Sequence, residues 1–129
     1  MNYPNLLRRY LASIIDFLTI IFIVYLYSRS PLYHPDREAT SVLIFLFTLA
    51  LYEPLMTVFL CTLGQAVMRF RVRKADDLSR VSLVQVYIRI VVKYLLGVIS
   101  FLTMPARRDR RAIHDLAGGT IVIEASIAN

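Results

Sequence analysis

Two stretches of this chain, Leu6–Leu26 and Thr40–Leu63, are long and almost purely apolar, and each carries one carboxylate inside it, Asp16 in the first and Glu53 in the second. About 20 helical residues cross a hydrocarbon core of about 30 Å, and both stretches reach that length. In lipid every backbone amide must be satisfied within its own segment, so such stretches fold as helices. A carboxylate at the centre of a membrane helix costs roughly 2.5–3.5 kcal/mol on insertion scales, so each acid is expected to have a partner or a task. The hydrophobic fraction agrees: 57% of 129 residues, where soluble domains run near 45–50%. The whole of 1–129 reads as a single membrane domain.

Arg8 and Arg9 precede the first stretch as a basic segment precedes a signal peptide, but the stretch ends in Tyr27-Ser28-Arg29-Ser30 with no small-x-small cleavage site. It is expected to stay as an anchor. The net charge is +6, and its location matters more than its sum. The 27–39 connection balances Arg29 and Arg37 against Asp36 and Glu38, whereas the 64–85 connection sets Arg69, Arg71, Arg73, Lys74 and Arg80 against Asp76 and Asp77. Basic residues collect on the cytoplasmic side, so the N-terminus and 64–85 are expected inside. That surplus would also attract anionic lipid headgroups, at about 1 kcal/mol per Lys or Arg near the surface. Nucleic acid is not an expected partner, because no soluble module presents the basic residues. The single cysteine, Cys61, allows no intrachain disulfide.

The first helix is expected from Asn5 or Leu6 to about Tyr27, with Pro4 in its first-turn region. A loop follows over Ser28–Glu38, which holds Pro31 and Pro35. The second helix runs from Thr40 to Leu63 and ends at Gly64 as a C-terminal cap. Residues 69–74 alternate basic and apolar side chains, a strand with one wet basic face, and Asp76-Asp77 supplies a turn. Thr120–Glu124 is a second run of strand formers. Together they suggest a short two-stranded antiparallel β ribbon on the cytoplasmic face, leaning on a helix or the membrane surface because an isolated ribbon is marginal in water.

The third apolar stretch, 81–104, leaves two readings open. Arg89 and Lys93 are four residues apart and share a helix face. As an amphipathic interfacial helix dipping back near Gly97, the stretch keeps Arg107, Arg108, Arg110 and Arg111 inside. As a full third crossing it puts them outside, against the charge rule, with Arg89 and Lys93 snorkelling. The fold class is therefore an all-α membrane protein: two transmembrane helices, a third amphipathic, re-entrant or transmembrane segment, and the ribbon.

In the first helix, Arg9, Ala12, Ser13 and Asp16 form one stripe of polar or small residues. Arg9 lies about 10 Å nearer the cytoplasm than Asp16. The stripe suits a polar contact between helices, and it suits an ion or proton site. In the second helix Glu53 and Thr57 share a face, and Pro54 frees the carbonyl of Ala50. Carboxylate, hydroxyl and carbonyl within one turn are ligands for a small cation; they are also what an ordinary proline kink contains. His114-Asp115 alone is weak evidence for metal chemistry, and His34 reads as a solvated loop residue. No phosphate loop, nucleophile elbow or zinc motif is present, so neither catalysis, nor a metal, nor a cofactor is expected.

Three blocks, Arg9-Tyr-Leu-Ala-Ser-Ile-Ile-Asp16, Thr62-Leu-Gly-Gln-Ala-Val-Met-Arg-Phe-Arg-Val72 and Arg111-Ala-Ile-His-Asp-Leu-Ala-Gly-Gly-Thr-Ile-Val122, lie in order along the chain. In them the sequence resembles the RDD family of small prokaryotic membrane proteins, named for an arginine and two aspartates that match Arg9, Asp16 and Asp115. Gln65 stands where a basic residue often follows the glycine. The resemblance implies about three transmembrane segments, a place in the prokaryotic inner membrane, and a suspected transport role, with sodium/proton antiport assigned to some members. It also implies a polar network of Arg9, Asp16, Arg111, His114 and Asp115. Two functions are carried forward. One is cation- or proton-coupled transport through Asp16, Glu53 and Thr57, in an oligomer or with a partner membrane protein. The other is a non-transporting scaffold or accessory subunit in which the network is structural.

Overall fold

A computed structural model describes residues 2–31 and 37–125, with Arg37 described in its backbone only. The elements follow in the order α1 (Leu6–Arg29), α2 (Arg37–Phe59), α3 (Leu63–Val67), β1 (Phe70–Lys74), α4 (Leu83–Leu96), a 3-10 turn (Gly97–Phe101), α5 (Ile113–Gly118) and β2 (Thr120–Glu124). It is a mostly helical protein with one small antiparallel sheet. The loop expected over Ser28–Glu38 is shorter, because α1 runs on to Arg29 and α2 begins at Arg37; 32–36, with His34 and Pro35, lie outside the described residues.

Asn5 caps α1, its side chain accepting from the Arg8 N–H at 3.0 Å. Pro4 therefore precedes the cap instead of occupying the first turn. Arg9, Ala12, Asp16 and Ile20 form the buried face of α1, while Leu7, Leu18 and Phe22 are among the many large apolar residues left exposed. This is the reverse of a soluble helix. Three segments, Leu6–Arg29, Glu38–Phe59 and Leu83–Phe101, are long and apolar enough to cross a membrane.

The second helix stops at Phe59 and not at Leu63, and Gly64 does not cap it. Gly64 lies inside α3, whose start is capped by Thr62. A Cβ on Gly64 would sit 2.1 Å from the carbonyl oxygen of Ala12, so the residue permits backbone contact between α3 and α1 in place of a left-handed turn.

The ribbon forms as the alternation implies. Phe70 pairs with Glu124 and Lys74 with Thr120, with Phe70 and Val72 turned inward and Arg71 outward. It does lean on helices: Phe70, Val72 and Val122 pack with Ala12 of α1 and with Val86 and Ile90 of α4. The start of the chain is tied to it as well. The Glu124 N–H donates to the Asn2 carbonyl at 3.1 Å, and Arg8 pairs with Glu124 and donates to the Met68 carbonyl.

In α4 the amphipathic reading inverts. Arg89 is buried among Val86 and Ile90, and the exposed positions are apolar, Leu95 being 79% exposed. Ser82 and Gln85 close a capping box at the α4 start. Gly97 takes φ 54 at its end, where the chain changes to the 3-10 turn. Only glycine adopts such a backbone without strain.

Candidate functional site

The buried faces of α1, α2 and α4 meet α3 and α5 around three acids and three bases, namely Asp16, Glu53 and Asp115 with Arg9, Arg89 and Lys93. Five of the six are among the most buried polar residues, and the Lys93 side chain is 12% exposed. Fully ionised, the set is neutral, which is the condition for holding that many charges away from water.

Asp115 is the centre of one half. It stands in the first turn of α5, where its Oδ2 accepts the Ala112 N–H at 3.0 Å. Arg9 Nη2 donates to the same oxygen at 2.5 Å, and Arg89 Nε donates to Oδ1 at 2.9 Å. Burial alone would raise the Asp115 carboxyl, but Arg9 and Arg89 outweigh it and hold the group well below the usual carboxylate range. Arg9 Nη1 also donates to the Arg110 carbonyl at 3.1 Å.

His114 extends this half. Arg9 Nη2 lies 3.2 Å from His114 Nε2. A guanidinium only donates, so Nε2 is the acceptor and Nδ1 carries the ring proton. Nδ1 is 3.0 Å from Ser100 Oγ, and Ser100 in turn donates to the Gly97 carbonyl at 2.7 Å. The turn at the end of α4 is thus tied to the arginine network by a neutral imidazole. Burial, with Arg89 and Arg9 helping and Asp115 opposing, pushes His114 down to about 3.

Asp16 stands apart from this half and does not touch Arg9. Thr62 Oγ1 donates to its Oδ2 at 2.6 Å and the Gly64 N–H to its Oδ1 at 2.8 Å. Tyr52 reaches it at 3.4 Å while accepting the Leu63 N–H at 3.0 Å. The carboxylate on α1 therefore caps the start of α3, where the chain turns after α2. That is why the second helix ends early.

Glu53 has a cationic partner. Lys93 Nζ donates to its Oε1 at 2.7 Å and the Tyr94 hydroxyl to its Oε2 at 3.2 Å. The Ala50 carbonyl freed by Pro54 accepts from the Tyr87 hydroxyl at 2.9 Å, so it is not an open ligand. Thr57 is buried and accepts from Gln65 Nε2 at 3.4 Å.

The structure thus brings Arg9, His114 and Asp115 together and leaves Asp16 and Arg111 outside that contact. Arg111 Nε donates to the Thr120 carbonyl at 2.9 Å and braces β2. Arg89 and Lys93, which the sequence reading assigned only to a shared helix face, are members, and so are Tyr94 and Ser100, which it did not single out. The signal for Arg89 and Lys93 was present: two cations on one face of an apolar helix need the same explanation as Asp16 and Glu53. Among the described residues no group of His, Cys, Asp and Glu is placed to hold a metal ion.

A family model described as the RDD family matches residues 3–119. No curated protein and no solved structure matches the chain.

Proposed function

The chain belongs to the RDD family, and from that premise we propose that it is a multi-pass membrane protein that exchanges a small cation for a proton at the Glu53–Lys93 pair. Family and apolar helices together mark it as a membrane protein. The observation that carries the exchange is the contact of 2.7 Å between Lys93 Nζ and Glu53 Oε1. A cation entering that carboxylate must displace the ammonium. Lysine can leave by giving up its proton, which arginine cannot do. One positive charge enters as one proton departs, and the charge at Glu53 is unchanged. Thr57 lies one turn further along the same face as an additional oxygen, and Asp16 is a nearby acceptor for the proton. Two crossing helices do not enclose a pathway, so this reading takes a homo-oligomer or a partner membrane protein as the working form.

The topology we infer follows from the ribbon. An open strand edge is not tolerated in lipid, so β1 and β2, being paired, share one aqueous side, and Asn2 is bonded to the same ribbon. With α1 and α2 crossing, the N-terminus and the ribbon agree in side. The segment from β1 to β2 then makes no net crossing. Leu83–Phe101, although long enough to span, enters and returns at Gly97 or lies along the interface. This keeps Arg107–Arg111 with the other basic residues, on the side the charge rule assigns to the cytoplasm, next to anionic headgroups. A reporter fused after Asn129 is expected to be cytoplasmic; a periplasmic signal overturns this topology.

Transport is tested in proteoliposomes with an imposed sodium or potassium gradient and an internal pH dye. Wild type is expected to move protons against the cation, and Glu53→Gln and Lys93→Ala to abolish the signal. Unchanged flux in both variants removes the proposal. One observation favours the alternative of a non-transporting scaffold or accessory subunit: the Arg9–Asp115–Arg89 half is closed and fully enclosed. That reading expects no gradient-driven flux in wild type, with loss of abundance as the only effect of the variants. Neither reading assigns an enzymatic reaction to the chain.

A further inference from the structure

Between the two halves lies a small chamber lined by Arg9, Arg89 and His114 of one half and by Asp16, Glu53, Gln65 and Lys93 of the other, together with Ser13 and apolar groups. It offers about 10 Å³ to the centre of a water-sized sphere, room for about one molecule. Two buried polar atoms on lining residues, Gln65 Oε1 and Arg89 Nη1, have no hydrogen-bond partner, although Gln65 and Arg89 are only 4% and 5% exposed. Buried polar groups left unpaired are rare and costly. One of the two is an acceptor and the other a donor. A cation would satisfy the amide oxygen and be repelled by the guanidinium, and an anion would do the reverse. A neutral molecule that both accepts and donates satisfies the two together.

We propose that this chamber holds one ordered water that accepts from Arg89 Nη1, donates to Gln65 Oε1, and links Lys93 to Asp16. Water has two lone pairs and two hydrogens, and the lining supplies two donors, Arg89 and Lys93, with Gln65 and Asp16 as acceptors. The chamber then serves the exchange proposed above, on which its function rests. The Lys93 ammonium gives an N–H proton to the water oxygen as the water gives one of its own to an Asp16 oxygen. One N–H and one O–H bond break and two O–H bonds form, leaving a neutral amine, a carboxylic acid and the water restored. Gln65 is the residue that holds the water in line. In the sequence it is the neutral side chain standing where a cation often follows the glycine, and a cation there would bring a like charge to Arg89.

The test is a structure of the wild-type chain in lipid at a resolution that shows ordered water, paired with a bromide soak. One peak within hydrogen-bond distance of both Gln65 Oε1 and Arg89 Nη1, without anomalous bromide signal, is the expected result. A dry chamber overturns the proposal. So does bromide in the chamber, which would mean that the Gln65 amide is turned with its nitrogen inward and the site takes an anion. In Gln65→Met, which fills similar volume without a strong acceptor, the peak is expected to vanish and proton flux to fall with it. Flux retained at the wild-type rate in a folded Gln65→Met overturns the relay. Should wild type show no flux at all, the exchange reading fails, while the crystallographic arm still decides whether the water is there.

Discussion

Asp115 and Glu53 are both carboxylates removed from water, and their surroundings differ in one respect that sets their duties apart. Asp115 lies between two guanidinium groups and a backbone N–H. None of these donors can give up its proton at any ordinary pH. Glu53 lies between an amine and a phenol, and the amine can. The same charge balance is therefore permanent at one acid and conditional at the other. Arg9 and Asp115 belong to the permanent part, which pins α1 to α4 and α5, while Asp16 lies outside it, held by Thr62 and Gly64. The residues suited to exchange lie beside it, on α2 and α4.

The comparison breaks first at Asp115. Asp115→Asn leaves Arg9 and Arg89 buried without a counter-charge, and removing one partner of a buried pair costs about 3–5 kcal/mol. Thermal unfolding in detergent is expected to show the largest drop of any single substitution among the described residues, with the apparent abundance falling in parallel. A drop no larger than that of Glu53→Gln would erase the distinction.

A second large effect is in pH. The His114 pKa is lowered to about 3 in the folded chain, against about 6.5 when unfolded. The unfolded state binds the extra proton between these values, so stability is complete above about pH 6.5 and declines as pH falls toward 3, by up to about 1.4 kcal/mol per unit. Asp115, with its folded pKa depressed, adds stability that is present above its unfolded value near 4 and fades only below it. Melting curves at pH 7 and pH 5 are expected to separate for wild type and to converge for His114→Gln. Equal separation in both would mean that the imidazole is not the sensor.

Glu53→Gln comes next. The amide can still accept from Lys93 or Tyr94, and a partly exposed lysine can turn its head toward water. A loss of about 1.5–3 kcal/mol is expected, the range for hydrogen bonds to charged groups. Smallest is Asp109→Asn, which weakens the contacts to Arg107 at 3.0 and 3.3 Å and the approach of Arg111 at 4.0 Å. Surface pairs of that kind contribute little, so its melting temperature is expected to match wild type.

Much of this was legible from the residues. The stripe Arg9–Ala12–Asp16 is the buried face of α1 because an apolar helix turns its few polar positions inward when lipid lies outside. The ribbon was legible from the alternation in Phe70–Lys74. The partners were not. Arg89 and Lys93 read as a wet face, since in water a charged stripe points out, and the inversion follows only once Asp115 and Glu53 are found opposite them. Gly64 read as a helix cap, which a glycine after a long helix usually is. Its real constraint, the Ala12 carbonyl 2.1 Å from where a Cβ would stand, joins positions far apart in the chain and leaves no local trace. Helical spacing puts Asp16 with Arg9, yet its donors come from Thr62 and Gly64, past the turn between α2 and α3.

The pairing of Arg9 with Asp115 spans 106 positions, and that of Arg89 with Asp115 spans 26. A ribosome delivers residues from the N-terminus onward, so both arginines emerge before the acid that will neutralise them. While α1 is being inserted, Arg9 is a bare cation beside Arg8, and in the topology proposed above it is available to hold the N-terminus on the side where basic residues collect. Only after α5 has emerged does Asp115 claim that charge and close the network. In that topology one side chain is an orientation signal during biosynthesis and a structural clamp afterwards, and a chain truncated before α5 is expected to insert and then fail to lock.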